Sequence, residues 1–78
     1  MTAQIFGTPG CTYCGAAKRL LDSNSITYSY TDITVGTNKE DLESRIGKTV
    51  TSVPQIILND EYIGGFTELQ AKLKEWHK

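Results

Sequence analysis

Gly10-Cys11-Thr12-Tyr13-Cys14-Gly15 holds both cysteines of the chain, between the apolar run Ile5-Phe6 and a helical pattern from Ala16 to Leu21. That order predicts strand, tight turn and helix, with Cys11 at the helix N-terminus. A thiol placed there meets unpaired backbone N–H groups and the positive end of the helix dipole. Both favour thiolate over thiol, so the Cys11 pKa is expected to be lowered. A thiolate is the nucleophile of thiol–disulfide exchange. Cys14 lies one helical turn further on, and positions i and i+3 share a face. Position therefore assigns attack to Cys11 and resolution of the mixed disulfide to Cys14.

Other readings of the pair are weaker. Half a zinc site wants two more ligands, and the only other soft ligand is His77, next to the C-terminus. A structural disulfide across two residues closes too small a loop to add much stability. Two unrelated free cysteines would not explain the strand before them and the helix after them.

Seventy-eight residues predict a single domain, 1–78, with one modest core. A net charge of −1 gives no basic field for nucleic acid or an anionic membrane. No apolar run is long enough to span a bilayer. Met1-Thr2-Ala3-Gln4 lacks the charged and apolar regions of a signal peptide. The expectation is a cytoplasmic monomer, in a compartment where a C-x-x-C is more often catalytic than structural.

Along the chain, Ala3–Gly7 reads as a strand buried on both faces at Ile5 and Phe6. A helix comes next, from Thr12 to Asn24, with Tyr13, Ala17, Leu20 and Leu21 on its apolar side. Ile26–Ile33 alternates and is rich in β-branched and aromatic residues, so it is a second strand, parallel to the first through a βαβ crossover. Thr37-Asn38-Lys39-Glu40 fits a capping box for a second helix, with Leu42 and Ile46 inward and Gly47 closing it. Lys48–Ser52 reads as an exposed approach to Val53-Pro54. Gln55–Leu58 and Glu61–Ile63 flank Asn59-Asp60 as an antiparallel hairpin. After Gly64-Gly65, Thr67 is expected to cap a last helix with Leu69, Leu73 and Trp76 inward.

The order βαβαββα, with C-x-x-C at the first strand–helix junction, resembles the thioredoxin fold: an α/β protein with a four-stranded mixed sheet and helices on both faces. More narrowly the chain resembles a glutaredoxin of the dithiol class, over essentially its whole length. Ile5–Cys14 is similar to the family's first strand and Cys-Pro-Tyr-Cys site. Ala17–Leu21 is similar to the helix after it, Thr51–Ile56 to a Thr-Val-Pro segment, and Ile63–Leu69 to a glycine pair before the last helix.

The resemblance implies a glutathione-dependent thiol–disulfide oxidoreductase in which Cys11 attacks and Cys14 resolves. It implies a cis Val53–Pro54 bond opposite Cys11, exposing the Val53 N–H and C=O to the cysteinyl backbone of glutathione. Gly64 and Gly65 would allow close backbone approach. The helix start at Thr67 and Glu68 would hold the γ-glutamyl carboxylate. The implied glutathione contacts are Thr12, Tyr13, Thr51, Ser52, Val53, Pro54, Gly64, Gly65, Phe66, Thr67 and Glu68. Implied partners are glutathione and disulfide-containing or glutathionylated proteins, with electron supply to ribonucleotide reductase as one use.

Three departures stand out. Thr8 replaces the Lys or Arg frequent before the first cysteine, so another cation must meet the glycyl carboxylate; Lys48 and Arg45 are the candidates. Thr67 stands where Asp is frequent after the glycine pair. Thr12 replaces proline, and in the family a small hydroxyl residue there goes with sharing a [2Fe–2S] cluster between two chains through the first cysteine and glutathione. An iron–sulfur carrier, with Cys11 as metal ligand, is the alternative function; otherwise no metal is expected. A redoxin reduced by thioredoxin reductase is disfavoured by Ile63-Gly64-Gly65-Phe66.

Overall fold

The computed structural model of the protein describes residues 2–76. Expectations placed on Met1, His77, Lys78 and the Trp76 side chain lie outside the described residues. The elements are β1 (Thr2–Gly7), α1 (Thr12–Ser23), β2 (Thr27–Asp32), α2 (Asn38–Ile46), β3 (Gln55–Leu58), β4 (Glu61–Gly64) and α3 (Phe66–Trp76). They form one four-stranded sheet in the order β2-β1-β3-β4. β1 runs parallel to β2, with Ile5 opposite Tyr30, and antiparallel to β3, with Ile5 opposite Ile56. β3 and β4 are antiparallel, with a register shift between Ile56 and Ile57. This is the mixed sheet and βαβαββα order expected of the sequence.

Strand period two sorts the core into two layers. Ala3 and Ile5 of β1 and Ile56 and Leu58 of β3 meet Ala17 and Leu21 of α1 and Leu69 and Leu73 of α3. Tyr28 and Tyr30 pack against the same layer, as their shared face predicts. Phe6 and Ile57 turn the other way, onto Ile33, Leu42 of α2 and Val50. Helices therefore cover both faces, and the central pair β1–β3 is buried on both. Val50 corrects the reading of Lys48–Ser52 as an exposed run. It is only 6% exposed, because the loop after α2 folds it into the second layer.

Local chemistry sets the element ends. Gly47 takes the left-handed conformation (φ 76°) and its N–H bonds to the Glu43 carbonyl, closing α2 as expected. Asn59 and Asp60 both have positive φ (52° and 68°), the two-residue hairpin geometry. α1 ends with Ile26 N–H on Leu21 O (3.0 Å) and Ser25 N–H on Asp22 O (3.0 Å), Ser25 supplying the left-handed turn (φ 58°) that glycine more often supplies. The capping box expected at Thr37 does not form. Thr37 sits at φ −100°, ψ 15°, close to helical rather than extended, so its hydroxyl cannot turn back onto the first turn and donates to Asp41 at 3.1 Å instead.

α2 is tied to the sheet by one fully buried residue, Leu42. Leu42→Ala should cost about 2–5 kcal/mol in a urea titration. The same substitution at Ile46, which is half-buried, should cost less.

Candidate active site

Cys11 is the N-cap of α1, in extended conformation (φ −86°, ψ 109°). Its Sγ accepts the Cys14 N–H at 3.0 Å, and its own N–H is held by the Thr8 carbonyl at 3.2 Å. A cysteine thus takes the place usually left to serine or aspartate, pairing one of the unpaired N–H groups of the first turn. The same N–H favours an anion on that sulfur. Cys11 and Cys14 are joined as a disulfide, with Cα atoms 5.3 Å apart. Their exposure differs: Cys11 is half-exposed, whereas Cys14 is 2% exposed.

Cys14 is buried because β1 offers no side chain where α1 crosses it. A Cβ at Gly7 would overlap the Cys14 Sγ, lie 3.3 Å from its Cβ and lie 3.4 Å from the Tyr30 ring. Tyr30 carries the Lys18 ammonium over its ring at 3.8 Å from the centroid. Burial, and secondly the Asp32 carboxylate, push the Tyr30 hydroxyl above its ordinary range, so it stays protonated. The Thr34 hydroxyl and then the Thr34 N–H hold the Asp32 carboxyl below its ordinary range.

The Val53–Pro54 bond is cis, as expected. Among the described residues, neither the N–H nor the C=O of Val53 has a hydrogen-bond partner. Gln55, buried at 6% exposure, holds this segment from below. Its Nε2 donates to Ser52 O at 2.8 Å, and its Oε1 accepts the Tyr62 hydroxyl. This brace was not foreseen, because nothing in the sequence marks the glutamine that opens the short strand Gln55–Leu58 as buried.

Two recesses meet at Ser52 and Val53. The smaller, about 230 Å³, is lined by Tyr13, Ser52, Val53, Pro54, Gly65, Phe66, Thr67 and Glu68. The Tyr13 ring is 61% exposed and leans on Phe66 with centroids 5.6 Å apart, forming one wall. Gly64 has φ 111°, which only glycine adopts freely, and a Cβ at Gly65 would come within 3.4 Å of the Pro54 carbonyl. Thr67 is not the N-cap expected of it. α3 starts two residues earlier, at Phe66, because Gly65 accepts the first helical bond, from Leu69 N–H at 3.0 Å, and Glu68 reaches back to the Gly65 N–H at 2.7 Å. Thr67 and Glu68 remain in the first turn of α3.

The larger recess, about 350 Å³, is lined by Thr8, Ile33, Thr34, Lys39, Val50, Thr51, Ser52 and Val53. Neither cation singled out from the sequence reaches it. Arg45 donates to Gln4 at 2.6 Å and approaches Asp60 at 3.9 Å, at the end of the sheet far from Cys11. The Lys48 ammonium lies over the Tyr62 ring at 4.9 Å. The cation in the wall is Lys39, at the start of α2, which sequence reasoning treated only as part of a cap. Nine of the eleven implied glutathione contacts line these recesses; Gly64 lines neither, and Thr12 is exposed on the first turn of α1 and lines neither.

Among the described residues no group of three or more His, Cys, Asp or Glu could hold a metal ion, and no helix is long and apolar enough to cross a membrane.

A C-x-x-C disulfide at a β1–α1 junction, one sulfur accessible and one buried, beside a cis-proline segment, defines a thioredoxin-fold thiol–disulfide oxidoreductase. A glutaredoxin family model matches residues 3–63. The chain is 43% identical to the glutaredoxin of Vibrio cholerae over 96% of its length and 93% of that protein's. It is equally similar (43%) to Glutaredoxin 1 of Escherichia coli K12, over 96% and 95% of the two chains. The structure of oxidized E. coli glutaredoxin superposes with a TM-score of 0.77 at 42% identity, covering 96% and 95%. The chain belongs to the glutaredoxin family and is a glutaredoxin-type oxidoreductase. The family uses glutathione as reductant, and nothing in the relatives or the geometry supports the iron–sulfur alternative.

The close approach at Gly7 is testable. Under reducing conditions Gly7→Ala should destabilise the protein by about 1–3 kcal/mol in urea unfolding. In a Cys14→Ala background most of that cost should vanish, since the overlapping atom is gone. An equal cost in both backgrounds would mean that the Tyr30 ring, not the sulfur, sets the requirement for glycine.

Proposed function

We propose that the protein reduces protein disulfides and glutathione mixed disulfides, with Cys11 as nucleophile and Cys14 as resolving thiol. The observation that carries the assignment is the asymmetry of the pair: the Cys11 sulfur is accessible and accepts an α1 N–H, while the Cys14 sulfur is covered by β1. The Cys11 thiolate attacks one sulfur of a substrate disulfide; a new S–S bond forms and the other substrate sulfur leaves as a thiolate, taking a proton from water. The Cys14 thiolate then attacks Cys11, forming the intramolecular disulfide and releasing the second substrate thiol. One glutathione thiolate opens that disulfide at the accessible Cys11 sulfur, and a second displaces the glutathionyl group as glutathione disulfide. Two electrons pass in total from two glutathiones to one substrate disulfide.

Glutathione lies across the two recesses. Its cysteinyl backbone pairs with Val53, and its γ-glutamyl carboxylate meets the first-turn N–H groups of α3 at Thr67 and Glu68. Tyr13 and Phe66 flank it on one side, Thr51 and Ser52 lie beneath it, and Gly64 and Gly65 leave room for it. Lys39, rather than Lys48 or Arg45, takes the glycyl carboxylate. Thr12 borders the sulfur without touching the rest of the ligand. The chain works as one domain, 1–78, as a monomer in the cytoplasm. Its place is in electron transport and redox homeostasis, supplying electrons to reductases that end their cycle as disulfides, ribonucleotide reductase among them.

The deciding assay tracks NADPH consumption with glutathione, glutathione reductase and a small mixed disulfide. Cys11→Ser should show no turnover. Cys14→Ser should keep it, yet lose reduction of a protein disulfide by about a hundredfold or more, because the resolving thiol's effective molarity is forfeited. Turnover with thioredoxin reductase but not with the glutathione system would replace this reading with that of a thioredoxin-like donor.

A further inference from the structure

We propose that the recess between Lys39 and Val53 selects protein substrates by the residues on the C-terminal side of their target cysteine: an apolar side chain, then a carboxylate. The proposal rests on the reading of Val53 as the backbone platform for a cysteinyl ligand. From that platform the direction of a bound chain can be derived. Residues 50–54 run from the larger recess toward the smaller one, since Val50 and Thr51 line the first and Pro54 the second. When one residue gives its N–H and its C=O to the same partner residue, the two segments are antiparallel. A ligand cysteine exchanging both bonds with Val53 therefore runs the other way. Its preceding residues lie at Gly65 and Thr67, and its succeeding residues pass over Ser52 and Thr51 into the larger recess.

Glutathione obeys this direction, with γ-glutamyl before the cysteine and glycine after it. Glycine has no side chain, however, and leaves uncovered the apolar wall made by the half-buried Val53 and the edges of Ile33 and Val50. That wall belongs to a recess of about 350 Å³, at the lower end of the volumes that hold small ligands. A protein chain running the same way carries a side chain where glycine has none. An apolar side chain covers Ile33, Val50 and Val53, and removing that surface from water favours the complex. Lys39 is the charged residue in the wall, and no carboxylate lines the recess among the described residues. The residue beyond the apolar one is thus favoured as Asp or Glu and disfavoured as Lys or Arg. The groove before the cysteine makes no such demand: it is smaller, and Glu68, already bonded to the Gly65 N–H, puts a negative charge there.

Single-turnover exchange with the full-length Cys14→Ser variant reads this selectivity directly. Peptides carry their cysteine as a mixed disulfide with 2-thiopyridine. The Cys11 thiolate attacks the peptide sulfur, the Cys11–peptide disulfide forms, the old S–S bond breaks, and 2-thiopyridone leaves and is monitored by its absorbance. Ala-Ala-Cys-Leu-Glu should react about tenfold faster than Ala-Ala-Cys-Gly-Glu, the return from burying much of one leucine. It should react about threefold faster than Ala-Ala-Cys-Leu-Lys, as a partly exposed charge pair allows, and Lys39→Glu should invert that last preference. The reversed peptide, Glu-Leu-Cys-Ala-Ala, should show no advantage over its glycine counterpart. Equal rates for all peptides, or an advantage for the reversed one, would overturn the proposal. Glutathione bearing the same 2-thiopyridyl group separates the two levels. If it reacts well while the peptides are not distinguished, only the selectivity falls; if it reacts no faster than it does with free cysteine, the glutathione platform falls with it.

Discussion

The contact between the Cys14 sulfur and the backbone of Gly7 is the constraint on which the site depends. The first turn of α1 lies on β1 where β1 lacks a side chain, with a sulfur in the gap. That contact fixes the rotation of α1 about its axis and turns Cys14 inward beside Ala17 and Leu21. Cys11 lies on the same side one turn earlier, and it is half-exposed because it stands at the open end of the helix. The chemical asymmetry of two identical residues comes from one turn of helix pressed against one glycine.

The second half of the site hangs from the opposite layer of the core. Val53 packs with Phe6, Leu42, Val50 and Ile57, and Gln55 pins Ser52 from inside β3 while accepting the Tyr62 hydroxyl of β4. The cysteines are thus positioned by the α1–α3 face and the Val53 platform by the α2 face. β1 and β3, buried on both sides, are the rigid partition that holds the two in register. A buried glutamine is costly unless its amide is satisfied, and here both ends of it are. What it secures is the loop that carries Val53, whose N–H and C=O have no partner among the described residues and, on the proposed reading, pair with the ligand.

The fold was legible in the sequence where side-chain period and special residues agreed: Ile5-Phe6 against Cys-x-x-Cys, the alternation from Ile26, Asn59-Asp60 between two apolar pairs, and Gly47 after Ile46. It was not legible where a local signal was real and tertiary geometry used it otherwise. Thr37 and Glu40 have the spacing of a capping box, but the chain enters α2 through a tight turn that leaves Thr37 nearly helical. Thr67 looks like a cap, yet the box is built two residues earlier, on Gly65 with Glu68, because glycine can serve as N-cap without a side chain. Val50 was hidden among polar neighbours. Lys39, Lys48 and Arg45 are indistinguishable as letters; only the packing of α2 shows that Arg45 is spent on Gln4 and Asp60 while Lys39 overhangs the recess.

On the proposed reading, the exchange of a cation before Cys11 for Thr8 divides a task. A lysine or arginine in that loop would stand near two anions at once, the glycyl carboxylate of the ligand and the Cys11 thiolate. With Thr8 neutral, the ligand is left to Lys39 across the recess, and the sulfur is left to the Cys14 N–H and the end of α1. These two forms of help differ in range. The N–H touches the sulfur at 3.0 Å and is part of the backbone. A lysine on a flexible stem at a solvent-filled recess acts through water and salt, which screen it over about 10 Å at ordinary ionic strength. Ligand affinity and sulfur reactivity, coupled when one cation serves both, become separable: rising salt weakens the grip on the carboxylate while leaving the activated sulfur nearly as it was.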